Sequence, residues 1–456
     1  MPYPTLPDSL RRVWEEENQG DYSISGFTRY SPGEYKQKVT QEINDETSFI
    51  NWITSNAHEI KSVDAGNGFE DLAPFKSYLK DVRVIGMGEA THGTSEFFRM
   101  KHRMLEFLVK EMNCASFYIE ASMSRCRYIN DYVLYGKGNL DTATAIQGFT
   151  VWRVEEVRNL IQWMHDYNQS VSEEKKVKFF GFDVQLNNEG WDELKQFYTK
   201  VNPSYLLRID TISALLDTAA VWSNDLFRMG GGTALYKKAR QQCLEILNDI
   251  VLNEGLYRYN VGEEMYQRNL MNIKLIVQET ASYSEIYNNL RDYYMAENIL
   301  HLLNREKADT RVLVWAHNGH IEKDKGMMGG YLANTLGDQY YAIGFEFNSG
   351  SFQVRNLDLN KKTNNWGIMT FESSPEKSLA WYLDQAGSGK FFLDFRNTGT
   401  EKLKYFSKRF DIHSIGSSYS EYSSPTETTN LKDFDGLIYI KNSSPAKDFK
   451  GVILSK

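Results

Sequence analysis

Five short apolar runs, separated by amphipathic helical stretches, constrain this 456-residue chain more than any other feature. They are VRVIGMG at 82–88, CASFYI at 114–119, VKFFGF at 177–182, RVLVWA at 311–316 and YYAIGF at 340–345. Runs this short and continuous suit strands buried on both faces, and helices between them suit parallel crossovers. After the first run, in SEFFRMKHRMLEFLVKEM at 95–112, Phe97, Met104, Leu105, Leu108 and Met112 return at helical spacing. Further helices are expected over 36–62, 70–80, 122–135 and 152–167. The pattern predicts an α/β fold with a largely parallel central sheet flanked by helices.

Residues 191–306 carry almost no strand signal, and periodic stretches at 236–253, 263–281 and 284–304 predict a helical insertion. It divides the α/β core into a first part, 36–190, and a second, 307–350. Residues 1–35, rich in Pro, Ser and Gly, read as an N-terminal arm on the surface. Residues 351–456, with apolar runs at 390–395 and 434–440, read as a small C-terminal α+β subdomain.

Composition narrows the function classes. Net charge is -8 with both signs interleaved, which argues against a nucleic-acid partner, since that requires a basic stripe. No stretch approaches the roughly 20 apolar residues that span a bilayer, so no membrane partner is expected. The opening MPYPTLPDSLRRVW lacks the basic-then-apolar order of a signal peptide, and the reading is cytoplasmic. Cys114, Cys126 and Cys243 form no zinc or redox spacing and no disulfide framework. Aromatic residues make up 14% of the chain, enough to fill the core and also line a pocket for a bulky apolar ligand. Nothing in the pattern specifies an oligomeric state.

The residues that end each run point to chemistry. After the first come Glu89 and His92, in GMGEATHGTS; after the second, Glu120; after the third, Asp183. His317 and His320, in WAHNGH, come after the fourth, and Glu346 after the fifth. Any one of these suits a turn or a helix cap, as do Thr91, Thr94 and Ser95 ahead of helix 95–112. Ligands of parallel α/β sheets, however, bind outside the carboxyl ends of the strands. If the five strands are neighbours, these groups meet on one rim and perturb one another's proton affinities. There is no G-x-S-x-G elbow, no H-E-x-x-H and no phosphate-cradling glycine loop after a strand. Two chemistries fit what remains. One is a histidine base, oriented by a carboxylate, that activates water against a carbonyl. The other is a metal held by Glu89, His92, Asp183 and His317.

GMGEATHGTSEFFRMKHRMLEFLV, with VWAHNGH and MMGGYLANTLGDQYYAIGFEF downstream, resembles the erythromycin esterase family. FYIEAS, VWRVEEVRNLIQWMHDYN, FFGFDVQ and RDYYMAENI are similar to family segments, in matching order over residues 80–350. The resemblance implies a hydrolase that opens the lactone of macrolide antibiotics with water and so confers resistance. It implies a small-molecule macrolide as substrate, no covalent serine intermediate and no required metal or cofactor. Carried over, His92 matches the family's base, Glu120 a catalytic glutamate, Glu89 the first residue of G-E-x-x-H and His317 the second histidine. Arg291 matches an arginine from the helical region. Arg291, His317 and Lys101 are candidate donors to the lactone oxygen, with His320, Asp183 and Glu346 around the substrate.

The chain departs from the family in two places. Lys101 stands where the macrolide esterases carry arginine, keeping the charge without the planar fork. The N-terminal region is longer than the family's and reads as a lid or a cover for the sheet. Another cyclic ester or an envelope metabolite is an alternative substrate, and a binding protein for a flat hydrophobic ligand such as haem is an alternative class.

Overall fold

The computed structural model of the protein describes residues 32–451, apart from 187, 225–231, 286–288, 359–362, 398, 400–403 and 421. The predicted arm lies almost wholly outside the described residues. By internal packing the chain divides into residues 1–48, whose described part begins the helix Pro32–Asn56, and residues 49–456, which hold everything below.

Each of the five apolar runs is a strand. A two-residue strand, β1 (His58–Glu59), precedes β2 (Val84–Met87), β3 (Cys114–Ser122), β4 (Lys178–Asp183), β5 (Arg311–Trp315) and β6 (Tyr340–Asp358). After them come β7 (Thr363–Phe371), β8 (Lys390–Asp394), β9 (Arg409–His413), β10 (Ser418–Ser420), β11 (Thr426–Asn430) and β12 (Gly436–Ser443). The central sheet runs β1-β8-β12-β6-β2-β5-β3-β4. Within it β6, β2, β5, β3 and β4 are consecutive neighbours, all parallel. The five strands whose ends carry acids and histidines therefore stand side by side and point the same way.

Alternation along these strands feeds two cores. Ile85, Met87, Phe117, Leu313 and Trp315 pack with Phe97, Phe98, Leu105 and Ile161 on one face. Val84, Tyr118, Val312, Val314 and Tyr340 pack with Met295, Ile299 and Leu332 on the other. The helix Ser95–Met112 has the predicted bounds and stops at Asn113, whose φ of 55° is left-handed. Its start differs from expectation: Thr94 occupies the N-cap without a side-chain cap bond. The Thr94 hydroxyl instead pairs with Thr91 at 2.8 Å, and Ser95 donates to Glu156 at 2.5 Å. The helix expected over 70–80 is a 3-10 turn, Glu70–Leu72, and a single turn, Phe75–Tyr78, with Pro74 between them.

In the helical insertion Asn188–Val201, Leu206–Asn224, Thr233–Leu252, Glu254–Val261 and Glu263–Ser284 enclose a core of their own, including Trp191, Phe197, Tyr198, Ile246 and Ile276. The next helix, Leu290–Leu303, behaves differently. Its Met295, Ile299 and Leu302 pack on the central sheet, which brings its first turn, with Arg291 and Asp292, to the strand ends. The C-terminal region also joins the main fold, because β8 and β12 extend the central sheet beside β6; among the described residues only β9 and β11 pair as a separate ribbon. No described helix is long and apolar enough to cross a membrane.

Candidate active site

Two glycines allow the bend after β2. A Cβ on Gly88 would meet Asn318 Oδ1 at 2.2 Å, and one on Gly93 would meet the Gln353 carbonyl oxygen at 1.8 Å. The chain passes here between the loop after β5 and the outer half of β6, and only glycine fits. Asn318 N donates to the Glu89 carbonyl at 3.0 Å, fixing the β2 and β5 loops to each other.

Glu89 has no solvent exposure. Its Oε1 is 2.6 Å from His92 Nδ1, and its Oε2 accepts from Trp315 Nε1 at 2.8 Å and from Lys101 Nζ. Lys101 comes from the sheet-facing side of helix Ser95–Met112 and lies 4.4 Å over the Trp315 ring and 5.3 Å from the Phe345 ring. Burial pushes its ammonium down to about 8, against the pull of Glu89. It stands behind Glu89 with no exposure, so its partner is that carboxylate.

A second group forms across β3, β4 and the helix Leu290–Leu303. Arg291 donates from Nε and Nη2 to Asp183 at 3.1 and 2.7 Å, and from Nη2 to Glu120 at 2.7 Å. His320 has Nδ1 2.8 Å from Asp292 Oδ1 and Nε2 3.3 Å from Glu120 Oε1. Burial opposes the charge on His320, but Glu120 and Asp292 outweigh it and lift the ring to about 10. A value this high favours the protonated ring at neutral pH; Arg291 Nη1 lies 2.9 Å from its Nε2, with the carboxylates of Glu120, Asp183 and Asp292 around the two side chains. Burial likewise works against the Glu120 charge, yet His320, Arg291 and His92 hold that carboxyl well below its usual range.

His317 lies between the two groups. Its backbone N donates to Glu120 Oε2 at 3.0 Å, and its ring centroid is 5.1 Å from that of His92. Gly319 N donates to Nδ1 at 3.3 Å, so the neutral ring carries its proton on Nε2. That Nε2 is buried with no hydrogen-bond partner among the described residues. Burial, with His92 and His320 beside it, pushes the ring down to about 3, so His317 stays neutral as a hydrogen-bond donor.

Glu346 is held apart from both groups. Its Oε1 takes His413 Nδ1 at 2.6 Å and Phe347 N at 2.8 Å, and its Oε2 takes His413 N at 2.9 Å. Asp183 is turned to Arg291, and among the described residues no group of three or more His, Cys, Asp or Glu is arranged to hold a metal ion. The rim opens at His92, Arg291 and His320, whose side chains are 12, 25 and 20% exposed.

Sequence reasoning missed Trp152, Trp315, Asp292 and His413. Trp152 donates Nε1 to the Glu120 carbonyl at 2.9 Å and sets its ring edge-on to His92 at 5.4 Å. Apolar periodicity assigns both tryptophans to the core and is silent on their N–H groups. Asp292 adjoins Arg291, and its adjacency was the available signal.

A histidine whose Nδ1 is tied to a carboxylate offers Nε2 as a base, and a neutral imidazole N–H beside it offers a donor to developing negative charge. Comparison with known proteins identifies the family. The family model described as Erythromycin esterase matches residues 109–443, a span that includes Glu120, Asp183, Arg291, His317, His320 and Glu346. Over 439 residues the chain is 23% identical to an Escherichia coli protein named "Erythromycin esterase type II", covering 87% of this chain and 98% of that one. It is also 23% identical to "Putative hydrolase YbfO" of Bacillus subtilis (strain 168), covering 79% and 84%. A solved erythromycin esterase mutant in its open conformation shares the fold, with a TM-score of 0.66 at 16% identity, covering 84% of this chain and 96% of that one.

Proposed function

The chain belongs to the erythromycin esterase family, and on that premise we propose that it hydrolyses the macrolactone ester of macrolide antibiotics, with His92 as the base. Membership supports a hydrolase; the macrolide is the finer reading. The observation that carries it is the Glu89–His92 pair at 2.6 Å, with a neutral His317 beside it whose Nε2 has no hydrogen-bond partner among the described residues.

In this reading His92 donates its Nδ1–H to Glu89 and takes a proton from water on Nε2. The oxygen of that water attacks the lactone carbonyl, and the resulting oxyanion accepts from His317 Nε2–H and from Arg291. Collapse of the tetrahedral intermediate breaks the ring C–O bond, and His92 returns its proton to the leaving alkoxide. Glu89, held in place by Lys101 and Trp315, stabilises the imidazolium in between. Each group does something on the path that it does less well before it.

Incubation of the purified chain with macrolides of several ring sizes and with other cyclic esters, followed by mass spectrometry, tests the substrate. A macrolide that gains one water supports the proposal. Gain of water by other lactones alone would assign a different ester to the same machinery.

A further inference from the structure

Glu89 has three donors on its two oxygens, and they differ in what they can fix. The Lys101 ammonium is a point charge with three rotatable donors, able to follow a carboxylate that swings. The indole of Trp315 has one N–H in a rigid plane, and that plane is locked. Its ring is fully buried and meets Phe98 at 4.9 Å, Trp152 at 5.4 Å and Phe117 at 6.0 Å between centroids. Its backbone is level with Met87 in the β2–β5 register, two residues before Glu89. Glu89 itself has no exposure to bulk solvent, so a lost donor is not replaced from the surface.

We infer that Trp315 is a positioning residue of the site: its indole N–H fixes the plane of the Glu89 carboxylate, and through it the tautomer and aim of His92. The inference rests on the reading of His92 as the base, and it assigns to a strand tryptophan a part that packing alone does not require. The same ring lies under the Lys101 cation at 4.4 Å, so it holds both the carboxylate and the counter-charge in register. Trp152, edge-on to both Trp315 and His92, closes the ring of contacts.

The test uses the full chain with two replacements, Trp315→Phe and Trp315→benzothienylalanine, the second of which keeps the bicyclic shape and lacks only the N–H. Nitrogen-15 NMR of the histidine rings, eight in all and assigned with a His92→Ala sample, reports the His92 tautomer without any substrate. The expected result is a single Nδ1–H tautomer in the parent and a mixed, broadened signal in both variants. Lactone hydrolysis should lose about tenfold in kcat with KM held within about twofold, the size of one hydrogen bond to a charged group. In a Glu89→Gln background the same replacements should change neither signal further, because the effect runs through Glu89. Unchanged His92 resonances in the folded benzothienylalanine protein would overturn the inference, as would an equal loss in the Glu89→Gln background. Failure of the parent to open any lactone would instead count against the hydrolytic reading, while the tautomer measurement still decides the role of Trp315.

Discussion

Replacing Asp292 by Asn removes one charge from the His320 cluster and leaves its shape intact. Met328 N donates to Asp292 Oδ1 at 2.9 Å, and an amide oxygen in the same place can still accept it, so the backbone contact survives. What goes is the anion 2.8 Å from His320 Nδ1, one of two carboxylates that lift the ring to about 10. A histidine raised from its ordinary 6.5 to that value stabilises the fold by at most about 5 kcal/mol. Glu120 and Asp292 share that lift, so the loss of one of the two carboxylates should cost about 2 kcal/mol. The sign comes from a raised folded value: the stabilisation is complete below about 6.5 and is lost as pH climbs through 10, at about 1.4 kcal/mol per pH unit. Lys101, depressed to about 8 by burial, contributes in the opposite sense above that pH, but it does so equally in both proteins and cancels in the difference. Urea unfolding of parent and Asp292→Asn at a series of pH values from 6 to 10 reads the gap. It should be about 2 kcal/mol at neutral pH and close as pH approaches 10. A gap that stays constant over that range would show that His320 carries no shared proton, and the charge on the ring would have to be given up.

Glu89→Gln should lower kcat/KM by about a hundredfold or more, by freeing His92, and cost about 3 kcal/mol by leaving Lys101 buried and unpaired; steady-state kinetics and a melting curve check both. Lys101→Arg should remove a fall in kcat/KM on the alkaline side of about 8, because arginine stays charged where the lysine loses its proton and leaves Glu89 uncompensated; persistence of that fall in the variant would sink the assignment. Gly93→Ala should destabilise by several kcal/mol and cut activity together, because its Cβ meets the Gln353 carbonyl; a protein melting within about 2 °C of the parent would show that the bend can yield.

The strand ends were legible because each buried run stops at a polar residue, and the parallel order then carries those residues to one rim. Helix Ser95–Met112 was legible to the residue, its apolar period being unbroken up to a left-handed Asn113. β6 was not: predicted to end at 345, it continues to Asp358, because its outer half pairs with β7 and β10, strands of the same sheet whose hydrophobic signal is weak. Glu346 stood with the others in the sequence, yet His413, which lies 67 residues on and carries no local signal, draws it away. Lys101 looked like a donor for substrate; its burial against the Trp315 and Phe345 rings depends on a strand more than 200 positions downstream and on Phe345 further still. Local pattern fixes which residues reach the rim, and long-range partners decide which of them face a ligand.

Whether His92 drives ester opening by water is read most directly from kcat/KM of the parent and of His92→Ala on a panel of macrolides, with product mass taken in the same samples. At least one macrolide should gain one water, and the variant should lose about a thousandfold while its melting curve matches the parent's. Ring opening that survives in His92→Ala within about tenfold of the parent would mean that the base lies elsewhere.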